Sequence, residues 1–218
     1  MELALFDLDN TLLSGDSDYE WAQFLVERGV LERAEYEAKN DRFLLQYKAG
    51  RLDIHEFLDF QLKPLSRHPR KQLDEWHVEF MREKIVPMIT RKARDLVESH
   101  NDDARVIITA TNSFVTWPIA REFGIENLIA TEPEEKNGEF TGRVVGVPSF
   151  REGKVTRLMS WIAEHDISWD ALEATWCYSD SLNDLPLLSI TSHPVAVDPD
   201  ETLKEHALKN DWRVISLR

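Results

Sequence analysis

The clearest indication of the fold is the stretch Leu3-Ala4-Leu5-Phe6-Asp7-Leu8-Asp9-Asn10-Thr11-Leu12. Its first four residues form a continuous apolar run, which predicts a short β-strand buried on both faces. Asp7 and Asp9 follow, and side-chain direction in a strand repeats every second residue, so both carboxylates are expected to point the same way. Two such charges repel each other unless a cation lies beside them, and a hard cation such as Mg²⁺ takes oxygen ligands. We therefore expect a Mg²⁺ site here; two solvated aspartates in a turn are the alternative interpretation.

Apolar runs typical of strands recur along the chain, at residues 106–108, 128–130, 175–178, 194–197 and 212–217. Helical patterns separate most of these runs, and Asn137-Gly138 is typical of a hairpin turn. Strands that alternate with helices predict an α/β fold with a doubly wound parallel sheet, that is, a Rossmann-like core.

A long, mostly helical stretch follows the first strand, from residue 18 to residue 84. Its apolar residues recur at helical spacing, and glycine or proline ends several of the patterns, which predicts a small helical bundle. We therefore divide the chain into a core, residues 1–14 and 87–218, and an inserted helical cap, residues 15–86. An insertion at this point lies over the carboxyl ends of the strands, where α/β sheets bind ligands.

Two later strand ends carry residues suited to a metal or a phosphate. Asp180 follows an apolar run, and Asp184 lies one helical turn further, so both side chains can face one point. The stretch Val106-Ile107-Ile108-Thr109-Ala110-Thr111-Asn112 places the Thr109 hydroxyl at a strand end before a helix, whose free backbone amides favour a phosphate group. Each feature taken alone also suits a helix cap.

Lys154 follows Gly153 at the start of a predicted helix. A lysine is unfavourable there because a helix N-terminus already carries partial positive charge. The position is explained if Lys154 faces an anion, with a solvated lysine as the alternative.

The composition limits the partners of the chain. Lys and Arg number 26 against 40 Asp and Glu, which gives a net charge of -14. This negative field repels nucleic acid and anionic membranes, so we expect neither as a partner. The single cysteine excludes an intrachain disulfide, and neither a signal peptide nor an apolar run of about 18 residues is evident. A cytoplasmic location is therefore the default expectation. We further expect a monomer or a homodimer.

The order Asp-x-Asp, Thr, Lys, Asp-x-x-x-Asp resembles the haloacid-dehalogenase superfamily of aspartate-nucleophile phosphatases, in its phosphoserine-phosphatase-like branch. The resemblance covers the whole chain, and residues 15–19, 109–114 and 148–154 are similar to a bacterial subgroup that is histidinol-phosphatase-like. The matching residues are Asp7, Asp9 and Thr11 in the first motif, Thr109 in the second, Lys154 in the third, and Asp180 and Asp184 in the fourth.

The resemblance implies a covalent mechanism with Mg²⁺ as cofactor. Asp7 would attack phosphorus and form an acyl phosphate. Asp9 would protonate the leaving oxygen and later deprotonate the water that hydrolyses the intermediate. The metal would be held by Asp7, the backbone carbonyl of Asp9 and Asp180, with Asp184 supporting it through water or a hydrogen bond.

The resemblance also implies how the phosphoryl group is held. Thr109 and Ala110, the backbone amides around Asn10, and the Lys154 ammonium would bind its oxygens.

The loop after the first motif bears on the substrate, a small phosphate ester. Phosphoserine phosphatases hold the substrate ammonium with a Glu in this loop, and Asp16 falls at that position. Asp16 suggests a cationic substrate, but it also suits the N-cap of the following helix. Phosphoserine would further need a cap arginine for its carboxylate, for which Arg42 and Arg51 are available. We favour L-histidinol phosphate on the subgroup resemblance, with phosphoserine as the alternative.

Two other classes of function stay open from the sequence. A phosphotransferase or mutase on the same scaffold would pass the phosphoryl group from Asp7 to a second substrate. A non-catalytic Mg²⁺-binding or phospho-receiver module is the other, and Asp9 and Lys154 argue against it because a receiver needs no acid–base group for turnover.

Overall fold

The computed structural model describes all 218 residues apart from the side chain of Lys48. One seven-stranded sheet has the strand order β4-β3-β2-β1-β5-β6-β7. The strands are β1 (Leu3–Phe6), β2 (Ala104–Asn112), β3 (Asn127–Lys136), β4 (Glu139–Val145), β5 (Thr175–Ser179), β6 (His193–Val197) and β7 (Arg213–Ile215). Neighbouring strands are parallel, except that β3 and β4 form the antiparallel hairpin at one edge. The predicted doubly wound, Rossmann-like sheet is confirmed.

Helices surround the sheet and fill the connection between β1 and β2. They are α1 (Ser17–Glu27), α2 (Arg33–Lys48), α3 (Ile54–Leu62), α4 (Arg70–Phe80), α5 (Arg91–Glu98), α6 (Ser113–Glu122), α7 (Glu152–Glu164), α8 (Leu185–Leu188) and α9 (Glu201–Lys209). The first four lie in the stretch that the sequence predicts as a helical bundle. Across the described residues, no helix combines the length and the hydropathy that crossing a bilayer requires.

The strand β1 is buried on both faces, as its apolar run predicts. Leu3 and Leu5 pack into the hydrophobic cluster on one face of the sheet, while Ala4 and Phe6 pack into the cluster on the other. Removing these side chains from water stabilises the centre of the sheet, since each large apolar side chain buried contributes about 1.5–3 kcal/mol.

Two chain segments connect the helices α1–α4 to the sheet, and they run side by side. Leu13 and Ile89 form an isolated antiparallel bridge, and the amide of Ser14 donates to the carbonyl of Met88 at 2.9 Å. This pairing supports our proposed division into a core, residues 1–14 and 87–218, and a cap, residues 15–86.

Some elements differ from the sequence prediction. The strand β2 continues past its apolar run to Asn112, because its polar end pairs with β3 at Thr131. The helix α5 was not predicted: only Ala93 and Val97 of it are buried, so its apolar stripe is too narrow to stand out among charged residues.

The order of the strands gathers the sequence motifs at one edge. β1 lies between β2 and β5, with Phe6 opposite Ile107 on one side and Tyr178 on the other. The three strands are parallel, so the residues that follow them meet at the carboxyl edge of the sheet, where α/β proteins bind ligands.

Candidate active site

Asp7 and Asp180 flank one hydroxyl group at the carboxyl edge of the sheet. Thr11 Oγ1 lies 2.9 Å from Asp7 Oδ2 and 3.1 Å from Asp180 Oδ1, and it also accepts a hydrogen bond from the Asp180 amide at 3.0 Å. A hydroxyl has a single proton, so it can donate to only one carboxylate at a time. The fold therefore brings the first and fourth motifs together, as the sequence predicts for Asp7 and Asp180.

Lys154 lies between two buried carboxylates. Its Nζ donates to Asp7 Oδ1 at 2.8 Å and to Asp184 Oδ2 at 2.7 Å, and its side chain is only 3% exposed. Ser179 donates a second hydrogen bond to Asp184 Oδ2 at 2.8 Å. We call Asp7, Lys154 and Asp184 the Lys154 cluster. The interpretation of Lys154 as a solvated lysine is thus wrong, and the expectation that it faces an anion agrees with these contacts.

When Asp180 is counted with the Lys154 cluster, negative charges outnumber positive ones. Burial raises the pKa of Asp7 to about 6, although the ammonium of Lys154 opposes that rise. Burial and the neighbouring Asp7 also raise the pKa of Asp180. For Lys154, burial alone would lower the pKa, but Asp184 and Asp7 raise it, so the ammonium stays protonated. Three carboxylates therefore share one protein cation.

This surplus of buried carboxylate oxygen fits a hard divalent cation. An all-oxygen donor set at a strand end is typical of Mg²⁺ sites, and an added positive charge would offset the repulsion between Asp7 and Asp180. Within the described part of the chain, three His, Cys, Asp or Glu side chains do not converge on one point. A third protein ligand would therefore come from the backbone, as the resemblance expects for the Asp9 carbonyl, and Asp184 is engaged by Lys154.

The Asp9 carboxylate is held by a different set of partners. Its Oδ1 accepts from the amide of Ser17 at 2.6 Å, while Oδ2 accepts from Thr111 Oγ1 at 2.8 Å and more weakly from Thr109 Oγ1 at 3.4 Å. The strand ends at Phe6, and Asn10 adopts a left-handed backbone with a φ of 57°. The strand pairing does not reach Asp9, but its backbone is still extended, with a φ of -74° and a ψ of 130°, so a shared direction of the Asp7 and Asp9 carboxylates stays a prediction.

The proton affinity of Asp9 suits an acid–base group. Burial, followed by the charge of Asp16, raises its pKa to about 6, while hydrogen bonds from Ser17 and Thr111 lower it. A carboxyl group with a pKa near neutrality can both give and take a proton during turnover.

Thr109 and Ala110, near the end of β2, and Asn10, in the turn after β1, are expected to hold a phosphoryl group, and their hydrogen bonds differ. The Thr109 hydroxyl is buried next to Asp9, and the carbonyl of Ala110 accepts from Thr131 at 2.8 Å. The amide of Asn10 donates to the carbonyl of Gly15 at 2.8 Å. This amide is not free for a phosphoryl oxygen, which corrects the expectation for Asn10; Thr109 and Ala110 stay predictions.

Asp16 caps the helix α1. Its Oδ1 accepts from the amides of Asp18 and Tyr19, each at 2.9 Å. A carboxylate at this position satisfies amides that the helix cannot, which is typical of an N-cap. Of the two interpretations that the sequence leaves open, the structure supports the cap, and a substrate contact by Asp16 stays a prediction.

Two contacts join the fourth motif to other parts of the molecule. Tyr47, on α2, pairs its hydroxyl with Ser181 Oγ at 2.8 Å. Arg151 donates from Nε and Nη2 to Asn183 Oδ1 at 3.0 and 2.9 Å. Its backbone has a φ of 51°, which is strained for a residue with a side chain, and such strain concentrates at functional sites.

Comparison with known proteins identifies the family. A family model described as haloacid dehalogenase-like hydrolase matches residues 4–189. The chain belongs to the haloacid dehalogenase-like hydrolase family. This match spans the first and fourth motifs, and with them every strand of the sheet except β6 and β7.

Relatives narrow the class of this hydrolase. The chain is 45% identical to a histidinol-phosphatase from Neisseria meningitidis serogroup C, over 99% of each chain. It is 30% identical to a phosphoserine phosphatase from Mycobacterium tuberculosis, over 99% of this chain and 70% of that one. A crystal structure of a protein with unknown function from Bordetella pertussis Tohama I is 45% identical, with a TM-score of 0.94 over 100% of this chain and 99% of the other. The family and these relatives make the chain a phosphatase.

Sequence reasoning missed several residues of this hydrolase's site. Thr111 could have been found, because it lies two positions after Thr109 and shares its face of β2. Arg151 and Asn183 lie inside the motif stretches that the sequence singles out, but their mutual contact spans 32 positions. The contact of Tyr47 with Ser181 spans 134 positions, and no local pattern indicates it.

Proposed function

We propose that this chain is a Mg²⁺-dependent phosphomonoesterase that acts on a small amine-bearing metabolite through a phospho-aspartate on Asp7, with L-histidinol phosphate as its substrate. The observation that carries the proposal is the Asp7 carboxylate at the end of β1, held by Lys154 and Thr11 beside Asp180. Identity of 45% with a histidinol-phosphatase, over nearly the whole length of both chains, supports the choice of substrate.

In the first step an oxygen of Asp7 forms a bond to phosphorus, and the bond from phosphorus to the ester oxygen breaks. Asp9 gives its proton to the departing oxygen, so that an alcohol leaves instead of an alkoxide. The raised pKa of Asp9, about 6, supports this role because a fraction of the enzyme carries that proton near neutral pH.

In the second step a water molecule attacks the phosphorus of the acyl phosphate. Asp9, now ionised, takes a proton from this water, and the bond between phosphorus and the Asp7 oxygen breaks. Inorganic phosphate leaves, Asp7 is a carboxylate again, and Asp9 is protonated for the next turnover.

The remaining residues hold charge in place. Lys154 offsets the charge of Asp7 before attack and that of the phosphoryl group afterwards. The carboxylates of Asp7 and Asp180 and the carbonyl of Asp9 would hold Mg²⁺, with Asp184 supporting the site through Lys154. When bound, this ion neutralises phosphate charge and orients the nucleophile.

Phosphoserine is the second candidate substrate, since one relative is a phosphoserine phosphatase at 30% identity. Its carboxylate would need an arginine in the cap. Arg42 instead pairs with Glu56 at 2.6 Å, and both side chains are about half exposed. Arg51, which is exposed, is then the cap arginine left for phosphoserine, whereas L-histidinol phosphate carries no carboxylate and needs neither.

A phosphate-release panel with Mg²⁺ tests the proposal. It contains L-histidinol phosphate, L-phosphoserine and sugar phosphates, with no added acceptor alcohol. We expect phosphate release with the highest kcat/KM for L-histidinol phosphate, by about tenfold or more over the others. A preference for sugar phosphates would contradict the amine-bearing substrate, and turnover that requires an acceptor would indicate a phosphotransferase.

A further inference from the structure

Asp18 is a buried carboxylate that the mechanism above does not use. It lies in the first turn of α1 and is 8% exposed. Gln61 Nε2 donates to its Oδ2 at 2.8 Å. Among the described residues, Asp18 takes part in no ion pair, and its Oδ1 accepts no hydrogen bond. A buried carboxylate with a single neutral partner is costly, because the charge has lost its hydration and gained no counter-charge.

The surroundings of Asp18 add negative charge instead of removing it. Burial raises its pKa well above the usual range, and the neighbouring carboxylates of Asp16 and Asp9 raise it further. The only opposing contribution comes from the hydrogen bond of Gln61. These surroundings favour either a proton on Asp18 or a positive charge beside it.

A chain of buried hydrogen bonds fixes the position of Asp18. Tyr36, on α2, donates from its hydroxyl to Gln61 Oε1 at 2.5 Å, and Gln61, on α3, donates to Asp18. All three side chains are more than nine-tenths buried. We call Asp18, Gln61 and Tyr36 the Asp18 group. A carboxylate held in this way loses little conformational entropy when a ligand binds, which is what a preorganised recognition site requires.

A second unpaired group lies beside Asp18. The hydroxyl of Ser17 is fully enclosed and, in the described part of the molecule, has no hydrogen-bond partner. The amide of the same residue donates to Asp9 at 2.6 Å, and the Ser17 side chain also lies close enough to lower the pKa of Asp9. Asp18 Oδ1 is not enclosed in this way and keeps some accessible surface. Ser17 and the residue that follows it, Asp18, therefore lie close to the proposed proton donor.

The location determines which part of a substrate would lie there. Asp9 gives its proton to the ester oxygen of the leaving alcohol. In a phosphorylated 2-amino alcohol, only two carbon atoms separate this oxygen from the nitrogen. Asp18 follows Ser17, whose amide contacts Asp9 at 2.6 Å, so an ammonium two carbon atoms from this oxygen would lie close to Asp18.

We propose that Asp18, and not Asp16, binds the ammonium group of the substrate and sets the preference for amine-bearing phosphate esters. The inference rests on the proposed function. Asp16 accepts two amide hydrogen bonds of α1 with its Oδ1 and is exposed, whereas Asp18 is buried and its Oδ1 accepts no hydrogen bond among the described residues.

The test compares L-histidinol phosphate with its deamino analogue, in which hydrogen replaces the ammonium, and reports the ratio of the two kcat/KM values. Asp18→Asn should lower this ratio by about 30-fold or more, because removing one partner of a buried, hydrogen-bonded charge pair costs at least that much. Asp18→Glu should restore part of the preference. Asp16→Asn, which keeps an N-capping side chain, and Asp59→Asn, an exposed aspartate of α3, should keep the wild-type ratio.

The outcomes separate the two proposals. A wild-type enzyme that prefers the amine-bearing ester, with the preference kept in Asp18→Asn and lost in Asp16→Asn, overturns the inference and leaves the proposed function standing. A wild-type enzyme that does not distinguish the two esters overturns the proposed substrate class, and this inference with it. If Asp18→Asn does not fold, as judged by its thermal melt, Asp18→Ser replaces it with the same expected loss.

Discussion

Asp184 and Asp18 are both buried carboxylates near the carboxyl edge of the sheet, yet the fold surrounds them differently. In the Lys154 cluster, Asp184 receives an ammonium and a hydroxyl at bonding distance. In the Asp18 group, the carboxylate receives one neutral amide and faces two further carboxylates. The first arrangement contains a protein cation, and its remaining negative charge suits an anion that arrives together with a metal. The second lacks a positive charge, and under our proposal the substrate supplies it.

The largest expected effect comes from removing the nucleophile within the Lys154 cluster. Asp7→Asn keeps the shape of the side chain but cannot form an acyl phosphate, so phosphate release should fall by about 10⁴-fold or more. Release from L-histidinol phosphate with Mg²⁺ measures this, with Asp59→Asn as the control. A wild-type rate in Asp7→Asn would remove the covalent mechanism.

Lys154→Met tests how much the ammonium of the Lys154 cluster contributes to the free energy of unfolding. It leaves Asp7 and Asp184 buried without their cation, as Asp18 already is, so the free energy of unfolding should fall by about 3 kcal/mol. Urea unfolding without Mg²⁺ at neutral pH measures the change. The matched control is Lys71→Met, because Lys71 is 90% exposed in a loose pair with Glu75 and should change stability by less than about 0.5 kcal/mol. Equal effects in the two variants would contradict the account.

The stabilisation of the Lys154 cluster by Mg²⁺ should depend on pH. The pKa of Asp7 is about 6 against an ordinary 3.8, so the folded state binds this proton more tightly than the unfolded chain. The contribution of Asp7 to metal-free stability therefore falls as pH rises from about 4 to about 6. Mg²⁺ binds ionised carboxylates, so its stabilising effect should be larger at about pH 7.5 than at about pH 5.

Thermal unfolding with and without Mg²⁺ at these two pH values measures the difference. We expect the shift in Tm to be about 3 °C or more larger at the higher pH. Asp180→Asn should reduce the shift, since it removes one expected ligand. A shift that is the same at both pH values would argue against the carboxylates as the metal site.

The smallest expected effect concerns the support of Asp18. Tyr36→Phe removes one buried hydrogen bond to Gln61 and should lower the free energy of unfolding by about 1 kcal/mol. Arg42 lies on α2, like Tyr36, and forms an exposed ion pair with Glu56 of α3. Arg42→Ala removes this pair and should change the free energy of unfolding by less than about 0.5 kcal/mol. Urea unfolding of both variants measures this, and a reversed order would mean that the Asp18 group is not held as described.

The sheet and the converging motifs could be predicted because their signals are local. The apolar run from Leu3 to Phe6 indicates a strand buried on both faces, and parallel strands place the residues that follow them at one edge. Asp7 and Asp180 needed no further information to be placed near each other.

The remaining parts of the site depend on contacts between distant segments. Lys154 reaches Asp184 across 30 positions and Asp7 across 147, and Gln61 reaches Asp18 across 43. Local reasoning also pointed to Asp16, whose neighbours in the sequence suit a cap as well as a binding site. Asp18 differs from Asp16 in its burial and in its contact with Gln61 of α3, and a sequence pattern contains neither.

In the proposed mechanism the phosphoryl group passes through Asp7, and mass spectrometry can detect it there. Asp9→Asn is mixed with Mg²⁺ and p-nitrophenyl phosphate, whose leaving group needs little protonation, and the reaction is quenched with acid. We expect the protein to gain the mass of one phosphoryl group, located on the peptide that contains Asp7, and we expect Asp7→Asn to gain none. Release of nitrophenol at every time point without phosphate on Asp7, in both the wild type and Asp9→Asn, would contradict this mechanism.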